Sequence, residues 1–249
     1  MQIKNTAIRK ADKRGSYDVQ HDILLLHCNV GEVITQIRCF AYLLSDSETA
    51  TYHQYRKAED AANFMTGRIL VRLLLSRLNN CLPEDIVLVP GKYNKPVALH
   101  RYNSALNISC FNLSHHANVV VIAIARVPVG IDVEMIVDTD YKCMINDICT
   151  EKEIVFLQQG TFPAERFLRL WTRKEAVLKC IGTGLTDNLK LLQLCDEVNY
   201  FSYNDPDISC CFIHDFTVFH SYAACICYAS DKQMQVYFSD ANKVLGNNF

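Results

Sequence analysis

The sequence predicts an α+β fold, because segments typical of strands and of helices follow one another without strict alternation. The strand segments are short apolar runs, and the helical segments are longer stretches, two of which begin at capping signals. Half of the 249 residues are apolar and 21% are charged, so the chain can bury a sizeable core and is not disordered as a whole.

The first half of the chain is expected to contain several strands and two helices. Strands are predicted at 22–28, 34–44, 86–89, 111–114 and 119–125. Ser45 and Glu48 have the spacing of a capping box, so a helix should begin there, and a longer helix is expected over about 59–79. Residues 91–105 are polar and rich in turn-forming residues, which predicts a loop.

The second half begins at Pro128 with a predicted strand at 129–134, where apolar and acidic residues alternate. A capping-box spacing at Thr150 predicts a short helix, and a long helix is expected from Phe162 to a C-cap at Gly182. Further strands are predicted at 210–214, 223–229 and 235–238.

Each half therefore holds strands and one long helix, which indicates an N-terminal lobe over 21–127 and a C-terminal lobe over 128–249. Residues 1–20 are expected to form an extension; it is basic but has no apolar core segment, so it does not read as a secretory signal. The longest apolar run is far too short for a membrane span. We therefore expect no membrane partner.

The charge balance and the cysteine content limit the partners and the location. Lys plus Arg number 25 and Asp plus Glu 27, for a net charge of −2, which excludes a nucleic-acid binder that works by bulk charge. The twelve cysteines include no Cys-x-x-Cys pair, and several lie in apolar runs. Free buried thiols are the expected interpretation, which indicates a reducing compartment and a cytoplasmic protein.

Asp132 and Glu134 lie two residues apart on the predicted strand at 129–134, so their side chains share one face. Two carboxylates held so close repel each other unless a cation lies between them, and oxygen ligands favour Mg²⁺ or Mn²⁺. A solvated strand face is an equally good interpretation of this pair alone.

The predicted long helix contains the stretch WTRKEAVLK over residues 171–179. Glu175 and Lys179 are four residues apart on one helix face, in the favourable order for an ion pair. Taken alone, this spacing is most simply interpreted as an ordinary surface ion pair.

Two further segments carry polar groups. The stretch FNLSH over 111–115 contains Ser114 and His115, but adjacent strand residues face opposite ways and the chain has no Gly-x-Ser-x-Gly elbow, which argues against a hydrolytic triad. The stretch GKYNKP over 91–96 offers two ammonium groups that suit a phosphate, although a solvated loop explains each lysine taken singly.

In this order, the four segments resemble the Sfp-type 4'-phosphopantetheinyl transferases. The hallmark of that family is a Gly-Ile/Val-Asp-x-Glu strand, followed further along the chain by a Trp/Phe-Ser/Cys/Thr-x-Lys-Glu-Ala/Ser-x-x-Lys helix. Residues 130–134 and 171–179 match these two motifs. The Phe-Asn-Leu-Ser-His segment and the Lys95-Pro96 pair are also similar to the family's, and the resemblance runs from roughly residue 22 to residue 229.

The resemblance implies two pseudo-symmetric lobes with the active site between them, usually in a monomer. It also implies transfer of the 4'-phosphopantetheine group of coenzyme A to a serine of an acyl or peptidyl carrier protein, with release of 3',5'-ADP. Asp132, Glu134 and Glu175 would hold Mg²⁺ or Mn²⁺. Glu175 would also be the base for the carrier serine, and Lys179 would orient Glu175 and stabilise phosphate charge.

The resemblance further implies a coenzyme A site and a carrier-docking surface. The candidate coenzyme A residues are Arg56, Lys92, Lys95, Asn112, Ser114 and His115. Carrier proteins are typically acidic, so a basic stretch is the candidate docking surface: Arg166, Arg169, Arg173 and Lys174. Positions that are often basic in the family are occupied here by Glu48, Thr51 and Asn63.

Two alternatives of other classes stay open. A binding protein on the same fold would hold coenzyme A or a carrier protein without transfer, and the substituted basic positions favour it. A metal-dependent phosphohydrolase would share the carboxylates but would leave the motif at 171–179 without an explanation.

Overall fold

A computed structural model describes residues 8–10, 22–102, 105–137, 141–159, 161–184, 189–195, 200–205 and 208–246. The predicted extension over 1–20 lies outside the described residues, apart from residues 8–10. Within the described ranges, the helices lack the continuous apolar length that crossing a bilayer requires.

The described residues mix strands and helices along the chain, which confirms the α+β prediction. The strands are β1 (Ile8–Lys10), β2 (Asp22–Asn29), β3 (Ile86–Pro90), β4 (Pro96–His100), β5 (Cys110–His116), β6 (Val119–Ala125), β7 (Val129–Met135), β8 (Tyr200–Asp205), β9 (Ile208–Val218), β10 (Tyr222–Ala229) and β11 (Gln235–Asp240). The α-helices are α1 (Val30–Arg38), α2 (Asp46–Gln54), α3 (Ala58–Asn79), α4 (Lys142–Ile148), α5 (Glu151–Gln158), α6 (Pro163–Ile181) and α7 (Ala241–Gly246).

The first compact unit takes in the described residues of 1–91, 96–126 and 233–249. Its five-stranded sheet has the order β1-β11-β2-β6-β5, with antiparallel pairs among β2, β6 and β5 and parallel pairs at the β1 edge. The long helix α3 packs on this sheet and buries Ile69 and Leu73 in the same cluster as Val120 and Ile122. A separate hairpin joins β3 to β4.

The second unit takes in residues 92–95 and the described residues of 127–232. Its sheet is antiparallel throughout, in the order β7-β10-β9-β8. The long helix α6 packs on one face of this sheet, and its Phe167 and Val177 share a core cluster with Ile213 and Cys225. The helix ends at Gly182, which has a left-handed backbone with φ 75° and caps the helix as predicted.

The capping boxes predicted at Ser45 and Thr150 are confirmed and begin α2 and α5. The strand predicted over 34–44 is wrong, because most of this stretch lies in α1 and the turn that follows it. The buried residues of α1 are Val30, Val33 and Ile37, whose spacing is that of a helix and not of a strand.

Two other regions also differ from their predictions. Part of the loop predicted over 91–105 is strand β4, which pairs with β3 as a two-stranded sheet. Strand β11 and helix α7 belong to the first unit, although 128–249 was predicted as one lobe, because β11 hydrogen bonds in parallel to β2. The period of a strand identifies the element but not the sheet that it joins.

All twelve cysteines lie in the described residues, and none of them forms a disulfide. Seven of them are buried, which confirms the prediction of buried thiols for those seven. Cys39 and Cys143 are exposed and depart from it.

Candidate active site

Strand β7 presents Asp132 and Glu134 to helix α6 of the same unit. Asp132 is only 4% exposed, and its Oδ1 accepts a hydrogen bond from Lys179 Nζ at 2.6 Å. Glu134 Oε1 accepts a hydrogen bond from Trp171 Nε1 at 3.3 Å. The two acids share one face, as their spacing predicts. The alternative of a solvated strand face does not hold for Asp132.

Helix α6 adds Glu175 to this group. The residue is buried, and its Oε1 has no hydrogen-bond partner among the described residues. Burial is the main reason why the pKa of Glu175 is raised to about 7. Lys179 opposes this rise, whereas the carboxylates of Asp132 and Glu134 add to it. Asp132 and Glu134 therefore lie close enough to Glu175 for their negative charges to repel an ionised Glu175 carboxylate.

This donor set fits a hard divalent cation. Asp132, Glu134 and Glu175 offer only oxygen ligands, and the buried Oε1 of Glu175 is an acceptor that still needs a partner. Their oxygens are not all within 4.8 Å of one another, so the acids do not form a closed cage. Mg²⁺ commonly binds through one or two carboxylates and completes its shell with water and substrate phosphates, which is the kind of site that these residues could form.

Two basic residues of the 171–179 motif have structural partners. Arg173 Nε donates to Asp215 Oδ2 at 2.9 Å, and its Nη1 donates to the carbonyl oxygen of Leu194 at 2.7 Å. Lys174 is fully buried and donates to Glu153 Oε2 at 2.8 Å. The predicted docking surface is therefore wrong at Lys174, because a buried ammonium cannot meet a partner. Most of the hydrogen bonds of the Arg173 guanidinium go to Asp215.

The lysines predicted to bind coenzyme A differ in their surroundings. Lys95 Nζ donates to the carbonyl oxygens of Lys179 at 2.6 Å and Val129 at 3.2 Å. It therefore places positive charge at the end of α6, where the helix dipole is negative. Lys92 is exposed, and its ammonium lies 5.0 Å from the ring centre of Tyr93.

The remaining predicted coenzyme A residues belong to the first unit. Arg56 is exposed in the short connection between α2 and α3. Asn112 and Ser114 are buried on one face of β5, whereas His115 is exposed and points to the other face. This arrangement separates Ser114 from His115 and argues further against a Ser-His dyad.

Two positions that are often basic in the related family have structural roles here. Glu48 closes the capping box of α2 and accepts a hydrogen bond from Arg72 at 2.7 Å in the interior. Asn63 is 1% exposed, and its Nδ2 donates to the carbonyl oxygen of Ala117 at 2.6 Å. The capping role of Glu48 was predicted from the sequence, but its contact with Arg72 and the contact of Asn63 with Ala117 were not, since these partners lie far away along the chain.

Gly130 allows α6 to approach the sheet closely. A Cβ atom at this position would lie 2.0 Å from the carbonyl oxygen of Ala176 and 2.3 Å from the backbone nitrogen of Cys180. Only glycine fits this contact, which holds Glu175 and Lys179 beside the acids of β7. The motif glycine therefore serves close packing.

Gly130→Ala is expected to lower the free energy of unfolding by about 3 kcal/mol, the upper end of the usual cost of overpacking, because one of the two backbones must move to relieve the overlap. Urea unfolding followed by circular dichroism measures this change. Gly67→Ala is the matched control: its Cβ would lie 3.6 Å from Leu113, an ordinary contact, and alanine favours a helix by up to about 1 kcal/mol. Equal stability of the Gly130→Ala and wild-type proteins would contradict this packing role.

The fold and the site define a two-unit α+β protein whose second unit brings three carboxylates together beside a lysine. The family model described as the 4'-phosphopantetheinyl transferase superfamily matches residues 128–227. A second model, for the N-terminal part of 4'-phosphopantetheinyl transferases, matches residues 33–126. The chain belongs to the 4'-phosphopantetheinyl transferase family, and the matches together include both sequence motifs.

Similar proteins come from several bacteria. The chain is 29% identical over 165 residues to the putative 4'-phosphopantetheinyl transferase slr0495 of Synechocystis, with 65% of each chain covered. It is 31% identical to the 4'-phosphopantetheinyl transferase gsp of Aneurinibacillus migulanus, with 57% of each chain covered. Sfp of Bacillus subtilis is 26% identical, with 76% of this chain and 84% of Sfp covered. The match thus spans less than two thirds of the first two relatives.

Proposed function

We propose that the protein transfers the 4'-phosphopantetheine group of coenzyme A to a serine of an acyl or peptidyl carrier protein. The serine oxygen forms a bond to the phosphorus next to pantetheine. The bond from that phosphorus to the bridging oxygen breaks, and this oxygen leaves with 3',5'-ADP. The observation that carries the proposal is the grouping of buried Asp132 and Glu175 with half-buried Glu134 and Lys179, all within the matched residues 128–227.

Each residue of this group has a separate role in the proposed reaction. Asp132, Glu134 and Glu175 would hold Mg²⁺ or Mn²⁺. When bound, this ion supplies charge neutralisation for the pyrophosphate. Glu175 also accepts the serine proton through its carboxylate, whose raised pKa of about 7 suits a base near neutral pH. Lys179 holds Asp132 in place through the 2.6 Å hydrogen bond and keeps positive charge beside the phosphates.

The coenzyme A phosphates would be bound by residues with exposed or half-buried polar groups. His115 and Arg56 are exposed in the first unit, and Lys92 is exposed in the second. Asn112 and Ser114 are buried on β5, the strand that carries His115, and would hold it in place. Lys95 contributes positive charge at the end of α6.

We further propose a monomeric, cytoplasmic enzyme. Light scattering of the purified protein tests the monomer, and fractionation of cells tests the location.

The proposed activity is tested by mixing the full chain with Mg²⁺, coenzyme A and an unmodified carrier protein. The expected result is a mass gain of one phosphopantetheine group on the carrier. A carrier whose acceptor serine is replaced by alanine is the control and should gain no mass. If several carriers gain nothing while coenzyme A binds tightly, the transferase proposal is overturned in favour of a binding protein. Release of inorganic phosphate without transfer would favour a phosphohydrolase.

His115→Gln is expected to raise the KM for coenzyme A about tenfold with little change in kcat, because one hydrogen bond to a charged phosphate is lost. Steady-state kinetics with varied coenzyme A measure both parameters. His220→Gln is the control, since His220 is an exposed histidine in the turn after β9 of the second unit and the proposal assigns it no role in coenzyme A binding. An unchanged KM for His115→Gln would remove His115 from the proposed site.

A further inference from the structure

Three cysteine side chains converge in the second unit, outside the carboxylate group. They are Cys180 in the last turn of α6, Cys211 on β9 and Cys227 on β10. Their sulfur atoms all lie within 4.8 Å of one another, and the residues are 2%, 0% and 0% exposed. We refer to these three residues as the cysteine cluster.

The packing of α6 on the sheet produces the cluster. Cys211 pairs with Ala229 and Cys227 pairs with Ile213, so the two cysteines are diagonal neighbours on adjacent strands. Cys227 also pairs with Gly130, the residue whose missing side chain lets α6 come close. The same contact therefore brings Cys180 down onto the two strand sulfurs.

A structural disulfide does not account for the strand pair. Diagonal neighbours have Cα atoms roughly 7–8 Å apart, which is beyond the usual range for a disulfide. Simple burial does not account for the cluster either, because its thiols hydrogen bond to one another. Hydrogen bonds from Cys180 and Cys227 lower the pKa of Cys211, which favours a thiolate at that position.

A positive charge lies close to the cysteine cluster. Lys95 Nζ contacts the backbone of Lys179 and Cys180 at the end of α6. The hydrogen bond to Cys211 and burial raise the pKa of the Cys180 thiol, and the charge of Lys95 opposes this rise only in part. Cys225 is equally buried, at 0% exposed, on the same strand as Cys227, but it lies outside the cluster. Burial on this strand is therefore not enough to place a cysteine in the cluster.

We propose that the cysteine cluster binds one Cu(I) ion through three thiolates. Soft sulfur ligands select thiophilic metals such as Cu(I), which accepts three ligands. A structural Zn²⁺ site needs four, and among the described residues no fourth His, Cys, Asp or Glu joins this group. The hard oxygen ligands of Asp132 and Glu134 prefer a different ion, so the two sites would not compete.

The test uses the reduced full chain without oxygen, titrated with Cu(I) against a chelator of known affinity. Because the sulfur atoms are buried, the protein is also refolded from urea with Cu(I) present. We expect one tightly bound ion, three sulfur neighbours in X-ray absorption and a higher Tm. The Tm rises because the folded chain holds the three sulfur atoms together and so binds the ion more tightly than the unfolded chain does.

Variants separate the cluster from the other thiols. Cys211→Ala and Cys227→Ala are each expected to weaken Cu(I) binding by more than about 100-fold, beyond the usual effect of losing an outer partner. Cys225→Ala is the matched control, equally buried, and should keep the binding. Circular dichroism checks that all three variants fold. The proposal would be overturned if all three variants lost Cu(I) affinity equally, or if Cys211→Ala kept the wild-type affinity. It would also be overturned if the protein bound Zn²⁺ and not Cu(I). None of these readouts depends on transfer activity.

Discussion

Asp132→Ala is expected to lower kcat/KM for phosphopantetheine transfer by about 1000-fold, because it removes both a cation ligand and the partner of Lys179. The protein should stay folded, since Lys179 keeps a side chain that is 28% exposed and can be solvated. Transfer kinetics with a purified carrier measure the loss, and calorimetric titration with Mg²⁺ measures the cation site directly.

The matched control for Asp132→Ala is Glu165→Gln on the same unit. Glu165 forms a half-buried ion pair with Arg169 one helical turn away, at 2.8 Å, and should contribute nothing to transfer. Full activity of Asp132→Ala would show that the carboxylate group is not the metal site. Loss of Mg²⁺ binding by both variants would show that the measured site lies elsewhere.

Lys174→Met is expected to lower the free energy of unfolding by about 3–5 kcal/mol, because it leaves the carboxylate of Glu153 buried without its counter-charge. Both side chains are fully buried, and the ammonium also donates to the carbonyl oxygens of Ile148 at 2.7 Å and Leu189 at 2.9 Å. Urea unfolding at neutral pH measures the change.

Two further variants sharpen this test. Lys174→Met combined with Glu153→Gln removes the isolated charge, so it should recover at least about 1 kcal/mol relative to Lys174→Met alone. Arg169→Met on the same helix breaks an ion pair that solvent still reaches and should cost less than about 1 kcal/mol. A loss for Lys174→Met no greater than that for Arg169→Met would contradict the buried pair.

Buried pairs of this kind also change the interpretation of the motif at 171–179. Its central lysine appears basic and surface-exposed in the sequence, yet it joins α6 to the start of α5 through Glu153. Glu153 in turn accepts a hydrogen bond from the backbone nitrogen of Leu194 at 2.8 Å. Part of the motif therefore maintains the position of the helix that carries Glu175, and does not contact a substrate.

Features that depend on near neighbours along the chain were predictable. The capping boxes at Ser45 and Thr150, the C-cap at Gly182 and the shared face of Asp132 and Glu134 each rest on interactions within a few residues. Helix α1 had an equally local signal in the spacing of its buried residues, but its apolar run was interpreted as a strand. This error came from the choice of period, since the information was present.

Features that depend on distant residues were not predictable. The sheet that β11 joins, the overlap that makes Gly130 necessary and the partners of Arg173 and Lys174 all involve residues tens of positions away. Hydrophobic period and composition carry no information about which distant group fills a contact.

The sequence alone predicted the α+β class, the two motifs and the family that they resemble, because each of these depends on short stretches of chain. Only the packing of α6 on its sheet established that Asp132 and Glu175 are buried together and that Lys174 is internal. The same packing brought three cysteines to one point. The burial of these side chains and the convergence of the cysteines depend on how segments that are distant in the sequence pack together. A pattern along the chain does not contain the distances between such segments.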